Sequence, residues 1–358
     1  MPAQTMTNTK IVLASRPEGA PCDDNFRLER QPISTPEPGS GQMLLETIYL
    51  SLDPYMRGRM SAAKSYAEPV AIGGVMEGGT LCRVLAIDPE ARCRHKVCDE
   101  VLAYTGWQSH ALVKVDDPSV VALHRPEHLP LSYYLGVMGM PGMTAYTGLL
   151  LIGEPKAGET VVVAAASGAV GAVVGQIAKI KGCRVVGIAG GDRKCDYVVN
   201  ELGFDVCIDH RQSPQDFAAE LHAACPDGID VYFENVGGHV FEAVFPLLSN
   251  FARIPVCGLI AHYNDTFATG EMSGDDCGRG DFTPILMRAI LTKRLRFQGF
   301  IVGDFADQRE NFVNDVAAWI KEGKIKYRED IVKGLENAPR AFQGLLKGQN
   351  FGKLLVEI

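Results

Sequence analysis

The chain has 358 residues, 46% of them apolar and 22% charged, with a formal net charge of -8. That length fits two domains of roughly 100–200 residues, and the composition is that of an ordinary globular protein. The acidic balance argues against a nucleic-acid partner, which would leave a basic footprint. The longest apolar run near the N-terminus, Ile11 to Ala14, is too short for a signal-peptide core or a membrane span, so a cytoplasmic protein without membrane contact is expected.

Residues 1–30 are polar and read as loosely attached, apart from Ile11-Val12-Leu13-Ala14. Pro and Gly crowd the stretch Pro32–Gly41, which reads as loop. Gln42–Leu52 alternates like a strand, and short β-like runs follow at Gly73–Val84, Glu100–Tyr104 and His110–Val115. Pro126 to Pro130 marks a break. Residues 131–151 are apolar, with helical spacing after Thr144. Glu159–Ala166 is then a continuous buried-type strand. Gly168–Lys181 repeats apolar residues at Val170, Val173, Val174, Ile177 and Ile180, a helical period, and Gly182 stops it. Further apolar runs at Cys183–Ala189, Val206–His210, Ile229–Asn235, Arg253–Ile260 and Leu295–Val302 alternate with helical segments. Strand–helix alternation predicts a doubly wound parallel sheet. After Asp304 come one amphipathic helix near Glu310–Glu322 and a closing strand, Lys353–Ile358. The expected fold class is α/β: a β-rich domain over residues 1–128, a Rossmann domain over 129–305, and a C-terminal return over 306–358 able to pair with the first domain.

The ten cysteines include no C-x-x-C pair. Cys93, His95 and Cys98 are too few donors for a zinc site, and free thiols are expected. His110, His124 and His128 read as ordinary surface or core histidines.

Ala166-x-Gly168-x-x-Gly171 leaves a buried strand and opens a helix, the context a dinucleotide phosphate loop requires. Gly168 lets the backbone approach a pyrophosphate and Gly171 lets helix and sheet pack closely, with the helix N-terminus facing the phosphates. An NAD reader places an acid at the end of the second strand. Here that point is Ala189-Gly190-Gly191, followed by Asp192-Arg193-Lys194. The missing acid and the basic pair favour NADPH, although Asp192 is near enough to face the ribose.

At this point the residues resemble a family. The blocks are Leu13-Ala14-Ser15-Arg16-Pro17, the run from Ser51 to Met60, Gly139 to Tyr146, Ala164–Gly171, Glu234-Asn235-Val236-Gly237-Gly238, Tyr263-Asn264 and Asn350-Phe351-Gly352-Lys353. In order, they are similar to the zinc-free medium-chain reductases: prostaglandin/leukotriene reductases, alkenal double-bond reductases and bacterial NADPH-dependent curcumin reductases. The resemblance implies a GroES-like catalytic domain beside the Rossmann domain, a homodimer, and reduction of α,β-unsaturated carbonyl compounds. It also implies NADPH contacts. Gly168, Ala169, Val170 and Gly171 would hold the pyrophosphate, and Lys194 the 2′-phosphate. His210 stands where relatives often have a tyrosine. Asn235 would lie near the cofactor. Cys257, Gly258, Leu259, Ile260, Ala261, His262 and Tyr263 would pass the nicotinamide, where relatives often carry a serine before the Tyr-Asn pair. Phe300, Ile301 and Val302 would line the crevice, and Asn350 would reach in from the C-terminal return. The segment Gly74-Val75-Met76-Glu77-Gly78 stands where zinc enzymes carry Gly-His-Glu. Methionine is a poor zinc ligand, so no metal is expected.

Without a metal, a developing enolate needs a protein donor. Tyr263, after the fifth strand, is one candidate for a proton-feeding phenol; otherwise it stabilises its loop or packs on the cofactor. Tyr55 is a second donor or a substrate wall, or else domain-core packing. Tyr66, in a looser loop, is a further substrate candidate. Arg57 and Arg59 read as holding that loop through Asp53, and Met140 and Met143 as packing at a helix start. The Gly/Asp-rich segment Gly270–Asp281 reads as a mobile loop. A quinone reductase of the same architecture and a non-catalytic NADPH-binding protein remain as alternatives.

Overall fold

The computed structural model describes residues 5–123, 126, 129–265 and 282–358. His124, His128 and the segment Gly270–Asp281 therefore lie outside the described residues.

The first strands, β1 (Thr5–Leu13) and β2 (Phe26–Ser34), form an antiparallel pair. This corrects the expectation of a loosely attached N-terminus. Ile11 and Leu13 lie two apart on one strand face, and both are buried against a core that includes Trp107 and Phe342. Strand β2 also runs through Pro32 into the presumed loop. Among the described residues β2 has no partner but β1, and on such an edge strand the missing proline N–H is tolerated.

There follow β3 (Gln42–Ser51), α1 (Met56–Arg59), β4 (Thr80–Ile87), β5 (Glu100–Ala103), β6 (His110–Lys114) and β7 (Val121–Ala122). Helix α2 (Met140–Thr147) then continues into a π-type turn, Gly148–Gly153.

The second unit alternates β8 (Thr160–Ala164), α3 (Gly171–Ile180), β9 (Arg184–Ala189), α4 (Asp192–Asn200), β10 (Val206–Asp209), α5 (Pro214–Ala224), β11 (Ile229–Phe233), α6 (Gly238–Val244), β12 (Leu248–Val256), α7 (Thr283–Lys293) and β13 (Arg296–Gly299). Its parallel sheet has the order β10-β9-β8-β11-β12-β13, which is the Rossmann arrangement. The strand period explains the two cores. Val161, Val163 and Val185 face a cluster with α2, α3 and Phe312. Val162, Ala164, Val186 and Ile188 face the other side, against Phe217, Leu221 and Val240.

The C-terminal part holds α8 (Arg309–Lys321), β14 (Glu329–Lys333), α9 (Ala338–Leu346) and β15 (Lys353–Glu357). Two of these elements correct the expectation of a single helix here. Helix α9 buries Ala338, Phe342 and Leu345 on the first core, with Phe342 edge-on to Trp107 at 5.7 Å. Strand β14 pairs in parallel with β15, and β15 pairs antiparallel with β3. The first-domain sheet therefore reads β14-β15-β3-β4-β5-β7, with β6 also on β3. Gly352 bridges Gly168, so the returning chain touches the phosphate loop. No helix among the described residues is long and apolar enough to cross a membrane.

Candidate active site

Strand β8 ends at Ala164, and the chain turns sharply through Ala165, which adopts a left-handed conformation (φ 53°). The Gly168 amide donates to Ala165 O at 2.9 Å. A Cβ on Gly171 would lie 2.3 Å from that same carbonyl, so only glycine fits where α3 begins. Among the described bonds, the amides of Ala169, Val170 and Gly171 have no backbone acceptor. Free amides at the start of a ten-residue helix suit a pyrophosphate. Asn235 Nδ2 donates to Ala164 O at 2.8 Å and joins the ends of β11 and β8. The strand order reverses between those two strands, which is where dinucleotides lie.

At the end of β9, Gly190 and Gly191 leave space that other side chains occupy. A Cβ on Gly190 would meet Arg211 Nε at 2.8 Å and His210 Nε2 at 3.0 Å. Lys194 is half-buried and donates to Gly348 O at 2.8 Å. Burial lowers its pKa, and the nearby charge of Arg211 lowers it further. Two cations thus converge where an NAD reader keeps an acid. Burial, and then His239, lower the pKa of His210, so it is a neutral neighbour at pH 7. Arg193 instead lies over the Phe351 ring at 5.1 Å. Arg211 was missed in the sequence. A basic residue just past the third parallel strand was the available sign.

The segment Cys257–Tyr263 is laced onto the end of β11: Gly258 N donates to Glu234 O, Ile260 N to Asn235 O and Ala261 N to Val236 O. Buried Glu234, also unforeseen, accepts from Val236 N at 2.6 Å, Gly237 N at 2.8 Å and Tyr232 Oη at 3.0 Å. It fixes the turn that carries Asn235. His262 Nε2 accepts from Gly238 N at 3.1 Å, and its Nδ1 meets Asp265 Oδ2 at 2.8 Å. Tyr263 turns its hydroxyl over Gly258, 2.9 Å from where a Cβ would stand. Burial pushes its pKa up to about 12, against a hydrogen bond from the Leu259 backbone. Phe300 packs inward on Gly148 and Phe233, while Ile301 is exposed and Val302 half-buried beside it. Asn350 Nδ2 donates to Gly352 O at 2.8 Å, inside the returning segment.

The first domain closes the opposite wall. Arg57 Nε donates to Asn264 Oδ1 at 3.2 Å and so reaches the loop after Tyr263. Arg59 Nε lies 3.3 Å from Glu77 Oε2. The expectation that both arginines act through Asp53 is therefore corrected. Asp53 is taken by Lys353, whose Nζ donates to its Oδ1 at 2.7 Å. An amine on β15 can be buried deep enough to reach that carboxylate, whereas the guanidinium groups point toward the cleft. Exposed Tyr66 stacks beneath Arg59 at 4.5 Å, and it lies near enough to Tyr263 to oppose ionisation of that phenol. The hydroxyls of Tyr55 and Tyr104 meet at 2.7 Å. Met143 is buried, while Met140 is 39% exposed. In place of a zinc block, Met76 is buried and Glu77 is paired with Arg59. Among the described residues no group of three or more His, Cys, Asp or Glu is placed to hold a metal, and the donor set does not fit zinc.

A family model described as the N-terminal domain of oxidoreductase matches residues 9–121, and one described as zinc-binding dehydrogenase matches 169–322. The chain is 54% identical to the NADPH-dependent curcumin reductase of Escherichia coli (strain K12), over 100% of this chain and 99% of that one. It is 38% identical to the 2-alkenal reductase (NADP(+)-dependent) of Nicotiana tabacum, over 99% of both. Among solved structures, CurA in complex with NADPH from Vibrio vulnificus superposes with a TM-score of 0.89 at 55% identity, over 98% of both chains.

Proposed function

The chain belongs to the medium-chain dehydrogenase/reductase family, and we propose that it uses NADPH to reduce the carbon–carbon double bond of α,β-unsaturated carbonyl compounds, including enones, alkenals and curcumin-like molecules. One observation carries this reading: β9 ends without an acid, and Lys194 and Arg211 lie near each other just beyond it, while among the described residues no donor set fits zinc.

When bound, NADPH supplies a hydride to the β-carbon. The residues of this chain do the rest. Gly168–Gly171 would cradle the pyrophosphate and Lys194 would hold the 2′-phosphate, with His210 beside it. Asn235, Cys257–Tyr263, Phe300–Val302 and Asn350 would frame the nicotinamide half. As charge gathers on the carbonyl oxygen, Tyr55 and Tyr263 would offer O–H donors and Tyr66 a wall. A phenol is protonated at neutral pH and so can donate without prior activation. In this reading residues 1–128 form the catalytic domain, 129–305 bind the dinucleotide, and 306–358 return to the first domain.

The same reading makes the protein a homodimer. Among the described residues β13 is an open sheet edge, and α7, which precedes it, exposes Ile285, Met287 and Leu291. A second copy adding its β13 would pair the edge and cover those side chains. Nine cysteines are free among the described residues, which suits a reducing, cytoplasmic location.

The test is NADPH oxidation, followed by absorbance, with a panel of enones, alkenals, quinones and simple aldehydes. Turnover of enones and alkenals is expected. Turnover of quinones alone would replace the substrate class, and NADPH binding without turnover on any acceptor would make the protein non-catalytic. Sedimentation as a monomer would remove the dimer.

A further inference from the structure

Tyr55 follows β3, is half-buried, and its hydroxyl meets one described hydroxyl partner, Tyr104, at 2.7 Å. Tyr104 stands just past β5 and is 49% exposed. Its hydroxyl donates in turn to Glu77 Oε2 at 3.5 Å. Glu77 precedes β4, its side chain is a third exposed, and buried Arg59 holds it in place at 3.3 Å. Arg59 also lies 5.5 Å from the centre of the Tyr55 ring. Three side chains from three separate segments thus form one line from the crevice to solvent. The two phenols can give and accept a proton, and the Glu77 carboxylate accepts from Tyr104.

We propose that Tyr104 and Glu77 form a proton relay that reloads Tyr55 from solvent during reduction of the double bond. The inference rests on the reading of the protein as an enone reductase. After hydride reaches the β-carbon, the electron pair at the α-carbon takes the Tyr55 proton, so a C–H bond forms as the phenol O–H bond breaks. Tyr55 regains a proton from Tyr104, and Tyr104 regains one from water at its exposed edge, while the Glu77 carboxylate, held by Arg59, accepts from the Tyr104 hydroxyl and orients it. One solvent proton enters for each NADPH oxidised, and no relay group changes oxidation state.

The environment favours such a relay. Burial raises the Tyr55 pKa well above its ordinary value and pushes that of Tyr104 up to about 12. A phenolate left at either position is therefore costly and must be quenched quickly. The Tyr104–Glu77 link is long for an O–H···O bond, and a small shift of either side chain tightens it. Among the described residues Tyr263 has no matching line: its hydroxyl folds onto Gly258 and Leu259 of its own loop. Tyr104 and Glu77 act through Tyr55 and are positioning residues.

The experiment compares wild type, Tyr104→Phe, Glu77→Gln and the double variant with one enone, at saturating NADPH in H2O and in D2O. Tyr104→Phe should lower kcat by about tenfold or more, leave KM for NADPH unchanged, and enlarge the solvent isotope effect as proton delivery becomes limiting. Glu77→Gln should act in the same direction. The double variant should be no slower than Tyr104→Phe, because the two groups act in series. Wild-type kcat in Tyr104→Phe, a fall in kcat with an unchanged solvent isotope effect, or multiplicative losses in the double variant would each overturn the relay alone. A wild-type chain that reduces no enone overturns both the relay and the proposed function.

Discussion

Lys353 Nζ lies 2.7 Å from Asp53 Oδ1, with both side chains buried. The pair ties the last strand to the turn that carries Tyr55, across 300 residues of sequence. The amine also donates to Leu52 O at 2.9 Å, and Ser51 Oγ donates to the other carboxylate oxygen. The charge is therefore well bonded, as a buried ion pair must be. Removing one partner strands the other. Lys353→Met is expected to cost about 3–5 kcal/mol in urea unfolding, and pairing it with Asp53→Asn should recover part of the loss. A single variant within about 0.5 kcal/mol of wild type would show that the pair does not hold the turn.

That pair also marks the limit of what the sequence shows. Local signs located the strand–turn–helix that starts at β8. The strand–loop–helix around Gly168 is one continuous stretch from Thr160 to Ile180, and its period changes from strand to helix on either side of the turn. The Rossmann strands read clearly because parallel strands buried on both faces are runs of Val and Ile. The first domain read poorly. Ile11 and Leu13 bury on Trp107 and Phe342, which are distant in sequence. Lys353 looks like any terminal lysine until β15 pairs with β3. Arg211 and Tyr104 became visible only when the fold set them beside Gly190 and Tyr55. Contacts made between separate segments have no signature in either segment alone.

The converging cations predict a cofactor preference. Lys194→Ala and Arg211→Ala should each weaken NADPH binding about tenfold to a hundredfold, the loss of one charge-assisted contact. Affinity for NADH, which has no 2′-phosphate, should change little. Titration of both dinucleotides by fluorescence distinguishes the outcomes. An unaltered NADPH/NADH ratio in Lys194→Ala would remove Lys194 from the pocket. Equal losses for both cofactors in Arg211→Ala would mean that Arg211 only shapes the turn.

Gly171→Ala tests the phosphate cradle by sterics. The new Cβ would stand 2.3 Å from Ala165 O and 3.0 Å from Ala166 Cα, both of them backbone atoms. The turn must open and α3 must shift. NADPH affinity is expected to fall by at least about tenfold while the far end of the sheet keeps its protection in hydrogen exchange. Unimpaired binding would mean that the cradle is not the pyrophosphate site.

Three histidines set the expected response to acid. Burial is the leading cause lowering the pKa of His95, His110 and His210 from 6.5. Below that value the unfolded chain takes up protons that the folded chain still refuses, so stability rises with pH across this range. The contribution is complete above pH 6.5 and is lost as pH falls toward the lower folded values. Tm should therefore drop between about pH 7.5 and about pH 5, before most carboxylates titrate. His210→Asn should flatten the slope. A Tm that rises on acidification over that interval would contradict the sign.

Tyr263 remains the competing proton donor, and its geometry makes the contest measurable. Its hydroxyl sits over Gly258, accepts from the Leu259 backbone, and is pushed up to about 12 by burial. Tyr66 lies near it. As a donor to the enolate, Tyr263 would lose the whole acid contribution on removal of one oxygen. Tyr263→Phe would then lower kcat for an enone about a hundredfold, with NADPH affinity nearly intact. As a brace for its loop, it would lose one hydrogen bond, about 1 kcal/mol, and the effect would fall on cofactor affinity. The donor outcome is expected if Tyr55 serves the crevice only as a wall. Comparable kcat losses in Tyr55→Phe and Tyr263→Phe would divide the work, with one phenol polarising the carbonyl and the other protonating carbon. An unchanged kcat in Tyr263→Phe, beside a large loss in Tyr55→Phe, would leave Tyr263 as the clasp of the cofactor loop and Tyr55 as the donor.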